Sequence, residues 1–374
     1  MTHDDPAAPP RIALFLSSLA VGGSQRVLAN LASGFARRGV RVDLVLATGG
    51  DAFRDQLDPG VSVVDLGATR VATSLPRLVR YLRRIRPAAL LSTQLHANLV
   101  ALLAVRLSGV ATRIAVRQGN VMSPPGAGVR ARLLALLARS QYRRADALVA
   151  VSAGVADDMA QRLGIARDRV RVLYNPVVNA ALLESARAEV GHAWFAAGAP
   201  PVVLSVGRLS PQKDFPTLIR AFAELRNQQP ARLVILGEGR ERRALEALIA
   251  ELGLVDLVWM PGSVANPHAY VSRAALYVLC SRWEGLPNAL IEALAIGTPA
   301  IATDCVAGPR EVLEGGRHGA LVPPGDVGEL ALQMRRVLLI PAGEREAVDS
   351  RALERFSFDL RVDDYLRLLR GDDD

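Results

Sequence analysis

Two parallel α/β domains in one chain are the fold class this sequence predicts, on three observations. The chain has 374 residues, too many for one ordinary hydrophobic core and enough for two of roughly 150–180 residues each. Half of it is apolar and only 5% aromatic, so its core is aliphatic, and short Val, Leu, Ile and Ala runs read as strands buried on both faces. Strand-like and helix-like segments alternate, pause and start again, the pattern of right-handed βαβ units in parallel sheets.

The first half opens with a strand over 12–17, a Gly22-Gly23 turn, a helix over 25–38 that stops at Gly39, and a strand over 40–47. A basic helix over 75–85 is ended by Pro87 and followed by a strand over 88–92. A helix over 97–107, a strand over 113–116, a basic helix over 130–144 and a strand over 147–151 complete this half. Tyr174-Asn-Pro-Val-Val and the less periodic stretch through Pro201 read as an interdomain connection. Strands over 202–206, 232–236, 255–260, 275–280 and 300–303 then alternate with helices over 216–226, 241–252 and 288–296. An amphipathic helix over 358–370 precedes an acidic tail. The expected division is 1–183, 184–355, and a last segment, 356–374, that packs on the first domain.

Composition narrows the class. Cys280 and Cys305 fit neither a metal-ligand pattern nor a disulfide framework, so a reducing cytoplasm is the expected compartment. The start is polar and Pro-rich without a secretory signal, and the longest apolar run, 95–107, is interrupted by Arg106 and too short to span a bilayer. Residues 1–183 hold 24 Arg against 11 acidic residues, and residues 184–374 hold 21 basic against 26 acidic. The whole positive surplus therefore lies in the first half. Such a face attracts an anionic membrane surface or a pyrophosphate-bearing acceptor. Nucleic acid is excluded as the partner by the lack of an aromatic-interleaved basic strip or a helix-turn-helix pattern. The Arg-rich helix over 130–144 is the candidate for membrane contact, its Leu stripe being expected to pack on the sheet.

Three strand-to-loop junctions of the second half carry chemistry. In open α/β sheets ligands bind at the carboxyl ends of strands, so these junctions should converge. In Val206-Gly-Arg-Leu-Ser-Pro-Gln-Lys, Arg208 and Lys213 are two loop cations, and Lys213 is the sole lysine of the chain. A guanidinium and an ammonium suit a diphosphate and its departure, although two solvated cations would look the same. Leu236-Gly-Glu-Gly is a weaker signal that a tight turn also explains. In Ser281-Arg-Trp-Glu-Gly-Leu-Pro-Asn, Glu284 follows a buried strand, Pro287 suits the first helical position, and Glu292 falls early on a Leu/Ala/Ile helix. A carboxylate there is costly to bury without partners, and sugar hydroxyls are suitable ones, the alternative being a glutamate that merely caps or solvates the helix.

With these residues assembled, the sequence resembles glycosyltransferase family 4, retaining enzymes of the GT-B fold. The resemblance rests on Glu284-x7-Glu292, Ala307-Gly-Pro-Arg-Glu311, Gly319-Ala-Leu-Val-Pro323, Val206-Gly-Arg208 with Gln212-Lys213, and the Val21-Gly-Gly loop. It implies two Rossmann-like domains facing each other across a cleft, with the last helix crossing back to the N-terminal one. It implies that Arg208 and Lys213 hold the donor diphosphate, that Glu284 with Gly285, Leu286 and Asn288 holds the donor sugar, and that Glu292 holds the ribose. Gly262 to Val264 would border the base, and Gly22 and Gly23 would approach the phosphates or the acceptor. His96 roughly matches a histidine facing the reacting sugar, with Asn98 and Arg117 as further acceptor-side candidates. The stretch from Thr303 to Leu313 resembles the subgroup that moves hexoses or N-acetylhexosamines from UDP-sugars to lipid-linked or cell-surface glycans. No cofactor and no metal are expected, since no Asp-x-Asp outside the acidic tail is present to bind one. The expected location is the inner face of the plasma membrane, as a peripheral protein. A sugar-nucleotide epimerase, a phosphorylase and a non-enzymatic partner are the rival readings. The epimerase lacks its acid-rich set, and a phosphorylase would need a cofactor-binding lysine where Lys213 is poorly placed.

Overall fold

The computed structural model describes residues 10–19, 22–122, 136–341, 344 and 348–372. The chain divides into one unit of Met1–Pro176 with Phe358–Asp374 and a second of Val177–Ser357.

The first unit carries a seven-stranded sheet of order β3-β2-β1-β4-β5-β6-β7, every pair parallel. Its strands are β1 Arg11–Leu16, β2 Arg41–Leu46, β3 Val61–Asp65, β4 Ala89–Thr93, β5 Arg113–Gln118, β6 Ala147–Ala150 and β7 Val170–Val172. The connecting helices include α1 Gly23–Arg37, α2 Leu75–Ile85, α3 Leu95–Ser108 and α4 Ala153–Leu163. Local chemistry sets several ends. Ser152 caps α4 by accepting from the Val155 amide, and Gly109 and Gly164 take the left-handed conformation that stops α3 and α4.

The final helix, Phe358–Arg370, belongs to this unit, with Phe358, Val362, Tyr365, Leu366, Leu368 and Leu369 in the same core as β1 and α1. It meets α1 at Gly34, where a Cβ would stand 2.6 Å from Val362 Cγ2. Arg38 anchors it from outside through Asp359 and Asp363.

The second unit repeats the topology with six parallel strands in the order β10-β9-β8-β11-β12-β13. These are β8 Val202–Val206, β9 Arg232–Leu236, β10 Val258–Gly262, β11 Leu276–Leu279, β12 Ala300–Thr303 and β13 Ala320–Val322. Its helices include α5 Ala180–Ala186, α6 Phe215–Arg226, α7 Arg242–Glu251, α8 Pro267–Arg273, α9 Asn288–Ile296 and α10 Val327–Leu339. Strand order reverses between β1 and β4 in one sheet and between β8 and β11 in the other. Those reversals open the crevices in which doubly wound sheets bind ligands.

Two details differ from the sequence reading. Pro287 is the cap of α9 rather than its first helical residue; its carbonyl accepts from the amides of Leu290 and Ile291. Of the basic helix expected over 130–144, residues 130–135 lie outside the described residues, and 136–141 are helical. Leu136 and Leu137 there are 62% and 56% exposed rather than packed. Ala138 and Tyr142, four residues apart on one face, take the buried side instead.

Candidate active site

The two loops at the switch point of the second sheet are fastened to each other by backbone and side chain. The Arg282 amide donates to Gln212 O at 2.8 Å, Gln212 Nε2 to Trp283 O at 2.9 Å, and Cys280 Sγ to Lys213 O at 2.9 Å. Asp214, 2% exposed and left-handed at φ 48°, accepts from Thr217 and from Arg282. This frame brings Lys213 Nζ to 2.5 Å from Glu284 Oε1, which also accepts from Ser281 Oγ at 2.7 Å. Glu284 is 6% exposed. The lysine stem lies over Gly207, where a Cβ would stand 3.1 Å from its Cε. The one lysine and the first glutamate of Glu284-x7-Glu292 are thus a contact pair at the carboxyl ends of β8 and β11. Arg208 is exposed on the same loop as Lys213.

The thiols beside this pair are inert. Cys280 and Cys305 are free and buried. Burial first, with the Glu284 charge adding to it, pushes the Cys305 thiol up to about 12, out of the range where a thiolate forms.

The glycines near the site serve backbone packing. A Cβ at Gly237 would meet Gly207 O at 2.0 Å, and one at Gly239 would meet Leu209 O at 2.2 Å. Gly237-x-Gly239 therefore exists to let the β9 loop lie on the β8 loop, which it does through the Gly207 to Leu236 and Leu209 to Glu238 hydrogen bonds. Gly308, at φ 93°, closes on the Gly285–Pro287 turn, where a Cβ would stand 2.7 Å from Pro287 Cδ. Gly285 and Leu286 are buried in that turn, and Asn288 begins α9. Gly262 ends β10 with φ 91° and its carbonyl accepts from the Gly237 amide; Val264 follows, half-buried.

Glu292 projects from α9 with its side chain 13% exposed and its Oε2 3.5 Å from His268 Nε2 on α8. The Tyr277 phenol on β11 is pushed well above its usual value chiefly by burial, with the charges of Glu292 and then Glu284 adding to it. Both carboxylates therefore act on one buried ring. His268 was missed in the sequence, since a lone histidine after Asn266-Pro267 looks like any helix start.

In the first unit, Ser17 Oγ donates to Gln94 Oε1 at 2.7 Å across the switch point. His96 is exposed at the second position of α3. Gly22 precedes α1 in extended backbone, φ 170°, and a Cβ on Gly23 would meet nothing within 4 Å. Val21 lies outside the described residues. The other two acceptor-side candidates turn inward. Asn98, fully buried, donates to Arg117 O and to Tyr142 Oη, and Arg117 is 1% exposed. Both hold the fold and cannot touch a substrate where they stand. Among the described residues no group of three His, Cys, Asp or Glu side chains stands ready to hold a metal, and no helix is long and apolar enough to cross a membrane.

Comparison with known proteins matches this arrangement. Residues 192–355 match the family Glycosyl transferases group 1, and residues 21–179 match Glycosyltransferase Family 4. The 2-deoxystreptamine glucosyltransferase of Streptomyces kanamyceticus is 32% identical over 75% of this chain and 76% of its own length. A Campylobacter jejuni N-acetylgalactosaminyltransferase named for a diphospho-undecaprenol substrate is 32% identical over 60% of each chain. Several curated relatives are spanned only in part, between 14% and 60% of their own length. The crystal structure of Anabaena HepE with UDP and glucose superposes with a TM-score of 0.80 at 20% identity, covering 97% of this chain and all of that one. Two parallel Rossmann-like sheets of this order, a charged pair at the second switch point and matches over both halves give one answer: the chain belongs to glycosyltransferase family 4, enzymes of the GT-B fold.

Proposed function

We propose that this glycosyltransferase moves a hexose or N-acetylhexosamine from a UDP-sugar to a lipid-linked or cell-surface glycan, with retention and without a metal or other cofactor. The observation that carries the reading is the Lys213–Glu284 pair at the second switch point, with Arg208 on the same loop and Glu292 on the adjoining helix. Lys213 and Arg208 would neutralise a departing diphosphate, and Glu284 with the amides of Gly285, Leu286 and Asn288 would hold the sugar it leaves. Retention follows from attack on the face from which the diphosphate departs, with its oxygen taking the acceptor proton. The UDP bound to HepE supports the choice of nucleotide, and the lipid-diphosphate named for the Campylobacter relative supports the acceptor class.

The first half would receive that acceptor. Its Arg surplus, and Leu136 and Leu137 exposed beside Arg139, Arg143 and Arg144, suit an anionic bilayer surface. The test is a panel of nucleotide sugars assayed for binding and slow hydrolysis. A UDP-hexose or UDP-N-acetylhexosamine should be selected, and selection of a GDP- or ADP-sugar would overturn the donor assignment.

Gly22 and Gly23 offer a sharper test of substrate approach. Neither backbone strain nor a neighbour requires glycine at 23, and alanine in a helix is favoured by about 0.5–1 kcal/mol. Gly23→Ala should therefore leave thermal stability equal or higher while lowering turnover at least tenfold, a loss of about 1.4 kcal/mol of transition-state stabilisation. Unchanged turnover would mean that no substrate group approaches this loop.

A further inference from the structure

Three helices of the second unit place Ser185, His268 and Glu292 in a row. Ser185 Oγ on α5 lies 2.8 Å from His268 Nδ1 on α8, and His268 Nε2 lies 3.5 Å from Glu292 Oε2 on α9. The imidazole is fixed from behind. Asn266 Nδ2 donates to Ser185 O, and Ser272 Oγ donates to Ala186 O, each at 2.7 Å, so α8 is stitched to the end of α5 on both sides of the ring. His268 Nε2 is sealed from solvent with no hydrogen-bond partner of its own. The carboxylate it faces is just beyond hydrogen-bonding range, and a shift of a few tenths of an ångström would close the gap. The Ser185 hydroxyl, also 2.8 Å from the Leu182 carbonyl, can serve Nδ1 as donor or acceptor. The ring can carry a proton on Nε2 in the neutral tautomer in which the Ser185 hydroxyl turns from Leu182 O to donate to Nδ1.

We propose that His268, backed by Ser185, is a positioning residue that presets the Glu292 carboxylate for a vicinal diol, and so sets the preference for a ribonucleotide donor. This rests on the reading that Glu292 receives the ribose hydroxyls. A glutamate side chain on a helix has several rotamers, and accepting two hydroxyls at once requires one of them. A partner held on the far oxygen selects that rotamer before the donor arrives, so less freedom is lost on binding. Partners of this kind orient ligating side chains elsewhere, notably around metals. The orphaned, buried Nε2 aimed at Glu292 is what a merely structural histidine would not need.

The experiment measures ribose discrimination on the full chain. UDP, GDP and ADP are titrated, and the one that binds is compared with its 2′-deoxy form for the parent protein, Glu292→Gln, His268→Leu, His268→Gln and the Glu292→Gln/His268→Leu double variant. His268→Leu should reduce the ribo-to-deoxy affinity ratio by about tenfold, the low end of the effect of removing such a partner, with affinity for the deoxy form, which keeps one of the two hydroxyls, falling less. His268→Gln, which places an amide N–H near Nε2, should restore part of the ratio. In the Glu292→Gln background His268→Leu should change nothing further. If Glu292→Gln keeps the full ratio, or if none of the three nucleotides binds, the underlying assignment of Glu292 fails. If Glu292→Gln loses the ratio while His268→Leu keeps it, or weakens both nucleotides equally, the positioning role of His268 alone is overturned.

Discussion

Lys213→Met should abolish sugar transfer and destabilise the second unit at once, whereas Lys213→Met combined with Glu284→Gln should recover the stability and not the transfer. Glu284 has a side chain 8% exposed, and its described partners are the Lys213 ammonium and the Ser281 hydroxyl. Removing the ammonium strands a buried carboxylate, a change that costs about 3–5 kcal/mol. The lysine side chain is 19% exposed and water can follow its removal, so the lower end, about 3 kcal/mol, applies. Neutralising the carboxylate as well removes that penalty, because glutamine keeps the shape and can still receive the Ser281 proton. Catalysis behaves differently. Loss of one preorganised charge on a leaving diphosphate costs about 10²–10³ in turnover, and no substitution at 284 returns it. Urea unfolding and turnover with the selected nucleotide sugar are the two measurements. Near-parent turnover in the single variant would take Lys213 out of the donor site, and a double variant no more stable than the single one would show that the pair is not what stabilises these loops.

The two loops that meet at the second switch point stood out in the sequence because their residues are chemically out of place. A sole lysine in an arginine-rich chain, an acid in the loop after a buried strand and a second acid on an otherwise Leu/Ala/Ile helix have no core role to play, so function is the simpler account. Central strands were legible for the opposite reason: β8, β9 and β12 are short apolar runs bounded by turn residues. Three of the four edge strands were not. β3 at one edge of the first sheet is half-exposed along most of its length, and β7 and β13 are three residues each, too short for a period of two to stand out.

The paired site groups were also out of reach. Nothing in the spacing of Ser185, His268 and Glu292 says that three helices converge. The Gly237-x-Gly239 signature suggested ligand approach, and its cause is the neighbouring loop, a contact between segments about thirty residues apart. Sequence patterns report what a residue faces locally, and these roles are set by what the sheet order brings beside it.

Arg117 makes that point and carries an expected loss of stability as large as that of Lys213. Its guanidinium ends β5 at 1% exposure, where a buried charge would normally have a carboxylate. Its described partners are instead three neutral oxygens: Tyr365 Oη at 3.0 Å, Thr93 Oγ1 at 3.0 Å and Asn175 Oδ1 at 2.5 Å. Burial pushes the Tyr365 phenol up even with this cation beside it, so the phenol stays neutral and adds no countercharge. Asn175 is the penultimate residue before the chain leaves the first unit, and Tyr365 lies on the helix by which it returns. One planar fork therefore holds both crossings to the ends of β4 and β5. Desolvating the guanidinium costs several kcal/mol, and three hydrogen bonds to a charged group, at about 1.5–3 kcal/mol each, roughly offset it. Little net stability comes from the cation itself. Its removal is nonetheless expensive, because the oxygens it leaves are buried and each costs about 1–3 kcal/mol if unpaired.

The Thr93 and Tyr365 hydroxyls can turn to other acceptors, and Tyr365 already reaches Leu173 O at 3.2 Å. Asn175 Oδ1 has no such freedom of rotation about a hydroxyl. Arg117→Met should therefore destabilise the first unit by about 3 kcal/mol. Arg117→Lys should recover less than half of that, because one ammonium cannot reproduce three directions of a planar fork. Amide exchange should quicken first in the final helix, where Tyr365 sits. Protection lost evenly across the sheet instead would mean that Arg117 fills space rather than fastening the helix. The same contacts explain why an arginine that looked available to an acceptor is closed to it: its donors are already directed inward, at the points where the chain leaves the unit and returns.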